Sequence, residues 1–257
     1  MLKNIFASFG FGAAKVDLVL DDFRLKMGQP VAGKIVLTGG QVEQVIEGLE
    51  VEFRLSSAYQ RGDDTHYVNE TVATIPVTEE TFKVAPEETK EYPFTFVCPE
   101  YIPVSSVNTR YYFQTNLEIK SGIDAKDRDF VDVYPSGLQE YFLNGFNKLG
   151  FVPQGEGYTG KKGGGFQIIQ FRPTEWLRGE YDEIVFMYQP AHTQNGVAGF
   201  FELDKKGKGL LGLLADELDL DEKKGRFVFT KADLTSEDYA AETIRQFIIH
   251  HAQGLIG

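Results

Sequence analysis

The residues with the most chemical promise form the run Gly155-Glu-Gly-Tyr-Thr-Gly-Lys-Lys162. Its four-residue gap and Gly-Lys pair match a phosphate loop, in which backbone N–H groups cradle phosphate and the lysine reaches the outer oxygens. Lys162 stands where a Ser or Thr would hold magnesium. Three further glycines and a strand-like run follow, where such a loop needs a helix amino terminus. The segment Gly155 to Gly165 therefore reads as a flexible glycine-rich connection, and no nucleotide or other cofactor is expected. Cys98 is the single thiol; it shares its alternation with Phe94 and Phe96 and reads as a buried structural residue. The histidines are His66, His192, His250 and His251, and the adjacent pair would point about 100° apart on a helix, a poor chelate. One cysteine cannot build a cysteine-rich zinc site. Asp216, Glu217, Asp219, Asp221 and Glu222 form an acidic cluster without the glycine and spacing of a calcium loop, and read as a solvated or partner-facing patch. There is no Gly-x-Ser-x-Gly elbow and no zinc-protease signature. The expectation is a chain with no catalytic, cofactor-binding or metal-ligating residues.

Composition narrows the classes of partner. The 257 residues carry 26 Lys and Arg against 38 Asp and Glu, a net charge of −12, and both halves are acidic. Repulsion from phosphate argues against broad contact with nucleic acid or an anionic membrane. A hydrophobic share of 42% suffices for full cores. One cysteine precludes an internal disulfide, which fits a reducing compartment, and a cytoplasmic location is expected. No apolar run reaches the length of a spanning helix, so no integral membrane segment is expected. The opening Met1 to Gly12 is too short and glycine-broken in its apolar part for a secretory signal.

The first half must position whatever surface acts. Leu49, Val51, Phe53 and Leu55 alternate with Glu50, Glu52 and Arg54, giving a strand with one oily and one charged face. Tyr111, Phe113, Thr115, Leu117 and Ile119 repeat the pattern, and weaker alternation marks Val16–Leu20, Val31–Leu37, Val68–Val77, Tyr92–Cys98 and Phe130–Val133. About seven strands joined by short polar breaks predict an antiparallel sandwich over residues 1–133. Beyond it, Leu138, Phe142, Phe146 and Leu149 recur at helical spacing, with Ser136 placed to cap and Gly150 to end a helix over 136–149. Strand-like runs resume at Phe166–Phe171, Tyr181–Tyr188, Gly196–Leu203 and Phe227–Phe229, so residues 134–232 are expected to form a second β-rich sandwich. Ser236 then opens a carboxyl-terminal helix within 233–257, with Ala240, Ile244, Phe247, Ile248 and His251 on one face, read as packing in cis or else as a docking or dimerisation helix.

Arg24-Leu-Lys-Met-Gly-Gln-Pro-Val-Ala-Gly-Lys-Ile-Val-Leu37, the continuation through Leu55, and Glu91-Tyr-Pro-Phe-Thr-Phe-Val-Cys-Pro-Glu-Tyr-Ile-Pro-Val104 resemble the bacterial sporulation-control protein family. The likeness extends through Phe9–Asp17, Gln170–Pro173, Tyr181–Phe186 and Phe201–Asp204. The amino-terminal part of that family is similar to the arrestin amino-terminal domain. Joined to the strand and helix patterns, the resemblance leads to the expectation of a mainly β chain of two arrestin-like antiparallel sandwiches with a short inter-domain helix and a carboxyl-terminal helix. It also implies a cytosolic regulatory protein that restrains or times early sporulation through contacts with regulatory, signalling or cell-division proteins, and it brings no catalytic residues. The functional expectation is a non-catalytic protein-interaction scaffold, possible self-association included; Phe6, Phe9 and Phe11 read first as packing beneath the first sandwich and otherwise as a surface for self-association or partner docking. Sheet edges are the expected docking surfaces, and Gly39-Gly40, Arg61–Tyr67 and Pro99–Val107 read first as ordinary turns and otherwise as rim segments. The competing readings are a hydrolase whose active site assembles from distant loops and a carbohydrate-binding module.

Overall fold

The computed structural model describes residues 12–62, 64–120, 122–204 and 224–252. Two compact units emerge, one of Met1–Leu55, Glu70–Cys98 and Tyr111–Asp132, the other of Ser56–Asn69, Pro99–Arg110 and Val133–Gly257. The chain is mainly β, with two α-helices among the described residues. The Phe6, Phe9 and Phe11 aromatics and the 216–222 acidic cluster lie outside the described residues.

In the first unit β1 (Lys15–Leu20), β3 (Pro30–Thr38) and β7 (Thr89–Val97) form a three-stranded antiparallel sheet in the order β1-β3-β7. The second sheet runs β2 (Arg24–Lys26), β9 (Ala125–Tyr134), β8 (Arg110–Ile119), β4 (Gln44–Arg61), β5 (Asp64–Thr78), with β6 (Phe82–Val84) also paired to β4. Alternation explains the layering. Leu49, Val51, Phe53 and Leu55 on β4 are buried, and the intervening Glu50, Glu52 and Arg54 are only half-buried. The inward faces of the two sheets meet through aromatic rings: Phe94 and Phe96 of β7 stand edge-on to Phe113 of β8 at 5.5 and 5.3 Å, and Phe53 lies 5.0 Å from Phe96.

The second unit holds one five-stranded antiparallel sheet. Its order is β10 (Phe151–Tyr158), β11 (Gln167–Pro173), β12 (Glu183–Tyr188), β13 (Gly196–Asp204), β14 (Lys224–Thr230). Helices α1 (Gly137–Lys148) and α2 (Glu237–Ala252) join one face of it in a single core, where Phe142 and Phe146 pack against Phe171, Phe186, Tyr188 and Phe227. The helix expected as an inter-domain connector is thus part of a sheet-and-helix core, where a second pair of facing sheets was anticipated. The reason is the apolar stripes of the two helices: α1 buries Phe142 and Phe146 and α2 buries Ile244 and Ile248, in one core with the sheet residues Phe171, Phe186 and Phe227. Cis packing therefore accounts for the apolar face of α2. At the crossing of the helices, a Cβ on Gly145 would lie 2.9 Å from Ile244 Cδ1 and 3.1 Å from the Ala240 and Ala241 backbone. Lys148 bonds Asp238 at 2.7 Å and Asn144 bonds Glu237 at 2.7 Å along the same seam.

The helices begin where the sequence places them, but only the second start is capped by a side chain. Gly150 ends α1 in the left-handed region at φ 74°. Ser136 precedes α1 without a side-chain cap bond, whereas the Ser236 hydroxyl accepts the Tyr239 N–H at 3.2 Å. The glycine-rich stretch differs from expectation, because Phe151–Tyr158 is strand β10 and only the turn around Lys161–Gly163 lies outside the sheet.

Candidate functional site

A sheet edge offers a row of backbone donors and acceptors to any extended segment, so each edge strand is a docking surface unless something blunts it. Most edges here are blunted. Strand β2 has three residues. Strand β7 carries Pro93 at its centre, and β10 carries Pro153 and an irregularity at Gly155. On β1 the Leu18 N–H is taken by the Asp127 carboxylate of β9 at 3.1 Å. Strand β5 is different. It has 15 residues, pairs with β4 on one side only, contains no fully buried residue and has its single proline near its end, at Pro76. Within the first unit, in its stretch from Glu70 to Thr78, Thr71, Thr74 and Pro76 are exposed and Val72, Ala73, Ile75 and Val77 are half-buried.

The outer face beside this edge is a polar lattice. Glu52 of β4 accepts from Arg54 at 3.0 Å, from the Thr71 hydroxyl of β5 at 3.0 Å, and from Gln114 and Asn116 of β8 at 3.2 and 3.4 Å. Burial opposes ionisation of Glu52, but the bonds from Arg54, Thr71 and Asn116 outweigh it and hold its carboxyl below the ordinary value. The lattice therefore keeps β5 in register on β4 without burying it.

A second feature of the first unit sits where β1 meets β9. One carboxylate oxygen from each of Asp17, Asp127 and Asp129 lies within 4.8 Å of the others, the only such group of ligating side chains among the described residues. Burial, then the charge of Asp127 and a hydrogen bond with it, then the charge of Asp17, push the Asp129 carboxyl up to about 7. Three carboxylates this close cannot all ionise cheaply, so Asp129 holds a proton while Asp127 accepts from Leu18.

In the second unit the false phosphate loop contains a buried anchor. Glu156 is fully buried; its carboxylate accepts the backbone N–H groups of Asn108 and Thr109 at 3.1 and 2.9 Å, the Gln167 amide at 3.1 Å and the Thr109 hydroxyl. Gln167 in turn holds both backbone groups of Val104 at 3.0 Å and accepts the Tyr188 hydroxyl at 3.0 Å. Burial raises the Glu156 carboxyl above its ordinary value, although every one of these bonds works the other way. The network ties the Pro99–Val107 connection to the sheet, so its middle, Pro103 and Val104, is buried and is not a rim.

Other expected sites resolve in the same manner. Gly39 and Gly40 are buried, with a Cβ on either colliding with the backbone of Ala85 or Gly12, so they serve close chain approach and present no rim. The Arg61–Tyr67 turn is accessible, with Tyr67 84% exposed and His66 stacked on Tyr59 at 5.2 Å. Cys98 is completely buried and its thiol is pushed up to about 12 by burial, so it is no nucleophile near neutral pH. His192 bonds Gln189, and His251 packs on Phe247 and bonds its carbonyl at 2.8 Å. The sequence reading missed the aspartate cluster and the Glu156 anchor. The first has no local signal, because its members lie on strands 110 residues apart; the second has one, a lone glutamate inside an otherwise small and apolar strand.

Among the described residues no helix is long and apolar enough to cross a membrane. A family model described as SpoOM protein matches residues 2–207. The sporulation-control protein spo0M of Bacillus subtilis (strain 168) is 27% identical over 259 residues, covering 98% of each chain. The crystal structure of Spo0M from Bacillus subtilis superposes with a TM-score of 0.77 at 25% identity, covering 94% of this chain and 100% of that one. This breadth of match, joined to the two-unit β architecture, places the chain in the Spo0M family of sporulation-control proteins.

Proposed function

We propose that the chain is a non-catalytic regulatory scaffold that binds another protein by accepting an extended segment along β5. The carrying observation is the length of the β5 edge, 15 residues paired to β4, in a fold whose β1, β2, β7 and β10 edges are shortened, capped or interrupted. Natural sheets avoid such edges unless they are used. Main-chain hydrogen bonds would supply affinity, and the half-buried Ile75 and Val77, two residues apart on one face, would select alternate side chains of the partner. The family match supports a regulatory role, and with it cytoplasmic partners of the signalling or cell-division type. The facing sheets of the first unit support an arrestin-like sandwich over residues 1–133, with 134–232 as the second β-rich domain and 233–257 as its terminal helix.

The test uses the full chain as bait for proteins of its host. Tyr67→Lys combined with Thr74→Lys places charges along the edge at exposed positions, which should block strand addition and leave the urea midpoint unchanged. The wild type should retain a specific protein that the double variant releases. Equal retention by both refutes the β5 assignment.

A further inference from the structure

The second unit contains an open cleft of about 520 Å³ at the end of β11, lined by Arg172, Thr174, Arg178, Gly179, Tyr181 and Asp182. Two observations set it apart from ordinary surface. The first concerns charge. In a chain of net −12, two arginines face one cleft, and among the described residues neither guanidinium belongs to an ion pair. Asp182 is the one acidic side chain of the lining and is exposed, so the lining carries two cations against one anion.

The second concerns how the arginines are held. Arg172 projects from β11, paired to Val152 of β10. The loop that follows is fastened at several points. Thr174 donates both its N–H and its hydroxyl to the Gly150 carbonyl, at 2.8 and 2.6 Å. Trp176 stacks on Phe151 at 5.8 Å and carries the Arg245 guanidinium over its ring at 5.1 Å. Leu177 and Tyr181 are buried in the main core of the unit. Leu177 achieves this with φ 65°, a conformation that a branched L side chain rarely adopts, and Gly179 follows at φ 80° with open space where a Cβ would stand. Between these anchors Arg178 is turned outward on a short, fixed segment. A cation held out by a fastened, strained loop loses little freedom when a ligand arrives, which is the arrangement a binding site needs.

We propose that this cleft is a binding site for a phosphomonoester, gripped by Arg172 and Arg178. A guanidinium presents a planar fork of donors that matches phosphate oxygens, and two forks call for a ligand with more than one negative charge. A carboxylate supplies one charge and two oxygens and would leave one arginine unused. The cleft shares no residue with β5, so it stands or falls apart from the docking edge. The phosphate can come from a free small molecule or from a phosphorylated side chain of a peptide, and the chemistry of the grip is the same.

The full chain, labelled for amide chemical shifts, would be titrated with inorganic phosphate, with phosphoserine, with a phosphoserine peptide and with acetate at constant ionic strength. Phosphate and phosphoserine should shift amides between Arg172 and Asp182 saturably, and acetate should bind at least about tenfold more weakly. Arg172→Ala and Arg178→Ala should each weaken phosphoserine about tenfold or more without moving the melting temperature, because both side chains are exposed. Arg178→Lys should recover only part of that loss, since it restores charge without the fork, and Asp182→Asn should tighten binding. Equal affinity for the free amino acid and the peptide assigns a small-molecule ligand; a peptide that binds much more tightly assigns a phosphorylated partner. Shifts scattered over the surface, acetate binding as well as phosphate, or arginine variants that bind like wild type would each overturn the assignment.

Discussion

Replacing Asp129 by Asn should stabilise the chain at alkaline pH and change little in acid. In the fold, burial and the neighbouring Asp127 and Asp17 raise the Asp129 carboxyl from 3.8 to about 7. The folded chain therefore keeps a proton that the unfolded chain releases near pH 3.8. A raised acid of this kind contributes its full stability below about pH 4, and the contribution disappears as the pH rises through about 7. The interval from 3.8 to about 7 corresponds, at 1.36 kcal/mol per pKa unit, to a ceiling of about 4 kcal/mol. Asp129 and Asp127 are only half-buried and Asp17 is exposed, so water and salt screen the repulsion, and a gain of about 1–2 kcal/mol above pH 8 is the expected size. Asn is close in shape to a protonated Asp and keeps an oxygen and a donor for Asp127, so at acid pH the two chains should unfold at nearly the same urea concentration. Urea denaturation of both proteins across the range from about pH 4.5 to about pH 8.5, at low and high salt, reads the difference directly. A stability difference that stays constant with pH, or one that favours wild type in alkali, refutes the reasoning.

Glu156→Gln should destabilise by about 1–3 kcal/mol, because the new amide group faces donors already committed to a carboxylate. Faster hydrogen exchange at the Asn108 and Thr109 amides would locate the loss. Since burial raises the Glu156 carboxyl, its contribution is greatest in acid and falls as the pH rises, so the variant's deficit should narrow toward alkali. Gly145→Ala should cost about 1 kcal/mol or more, although alanine favours an ordinary helix by about that amount, because its Cβ meets the Ala240 and Ala241 backbone at 3.1 Å. A raised urea midpoint for that variant would show that α2 can retreat freely.

The strands with one buried face were legible because burial writes itself into the sequence at period two. Leu49, Val51, Phe53 and Leu55, and again Tyr111, Phe113 and Leu117, are all nearly inaccessible to solvent. The helices were legible from their aromatic stripes and from Gly150. Strand β10 was not, because its composition speaks for flexibility while its glycines answer to contact. A Cβ on Gly157 would stand 2.5 Å from the Ala58 carbonyl oxygen, and one on Gly155 would strike the Gln170 side chain. Strands β2 and β6, of three residues each, are too short to show a period. The single-sheet core of the second unit was hidden for another reason. Alternation tells which side of a strand is buried but not whether a sheet or a pair of helices covers it. The aspartate cluster and the arginine cleft depend on strand order and loop conformation, neither of which is a property of neighbouring residues.

The contrast between β5 and the other edge of its sheet has a consequence for stoichiometry. If two copies of this chain pair β5 with β5 in antiparallel register, each offers the same surface to the other and the contact has two-fold symmetry. The opposite edge is β2, whose three residues cannot support continued strand addition. Self-pairing through this sheet therefore closes at a dimer instead of growing into a fibre, and it occupies the very edge that a partner segment would need. Concentration alone would then govern how much of the chain is open to its partner.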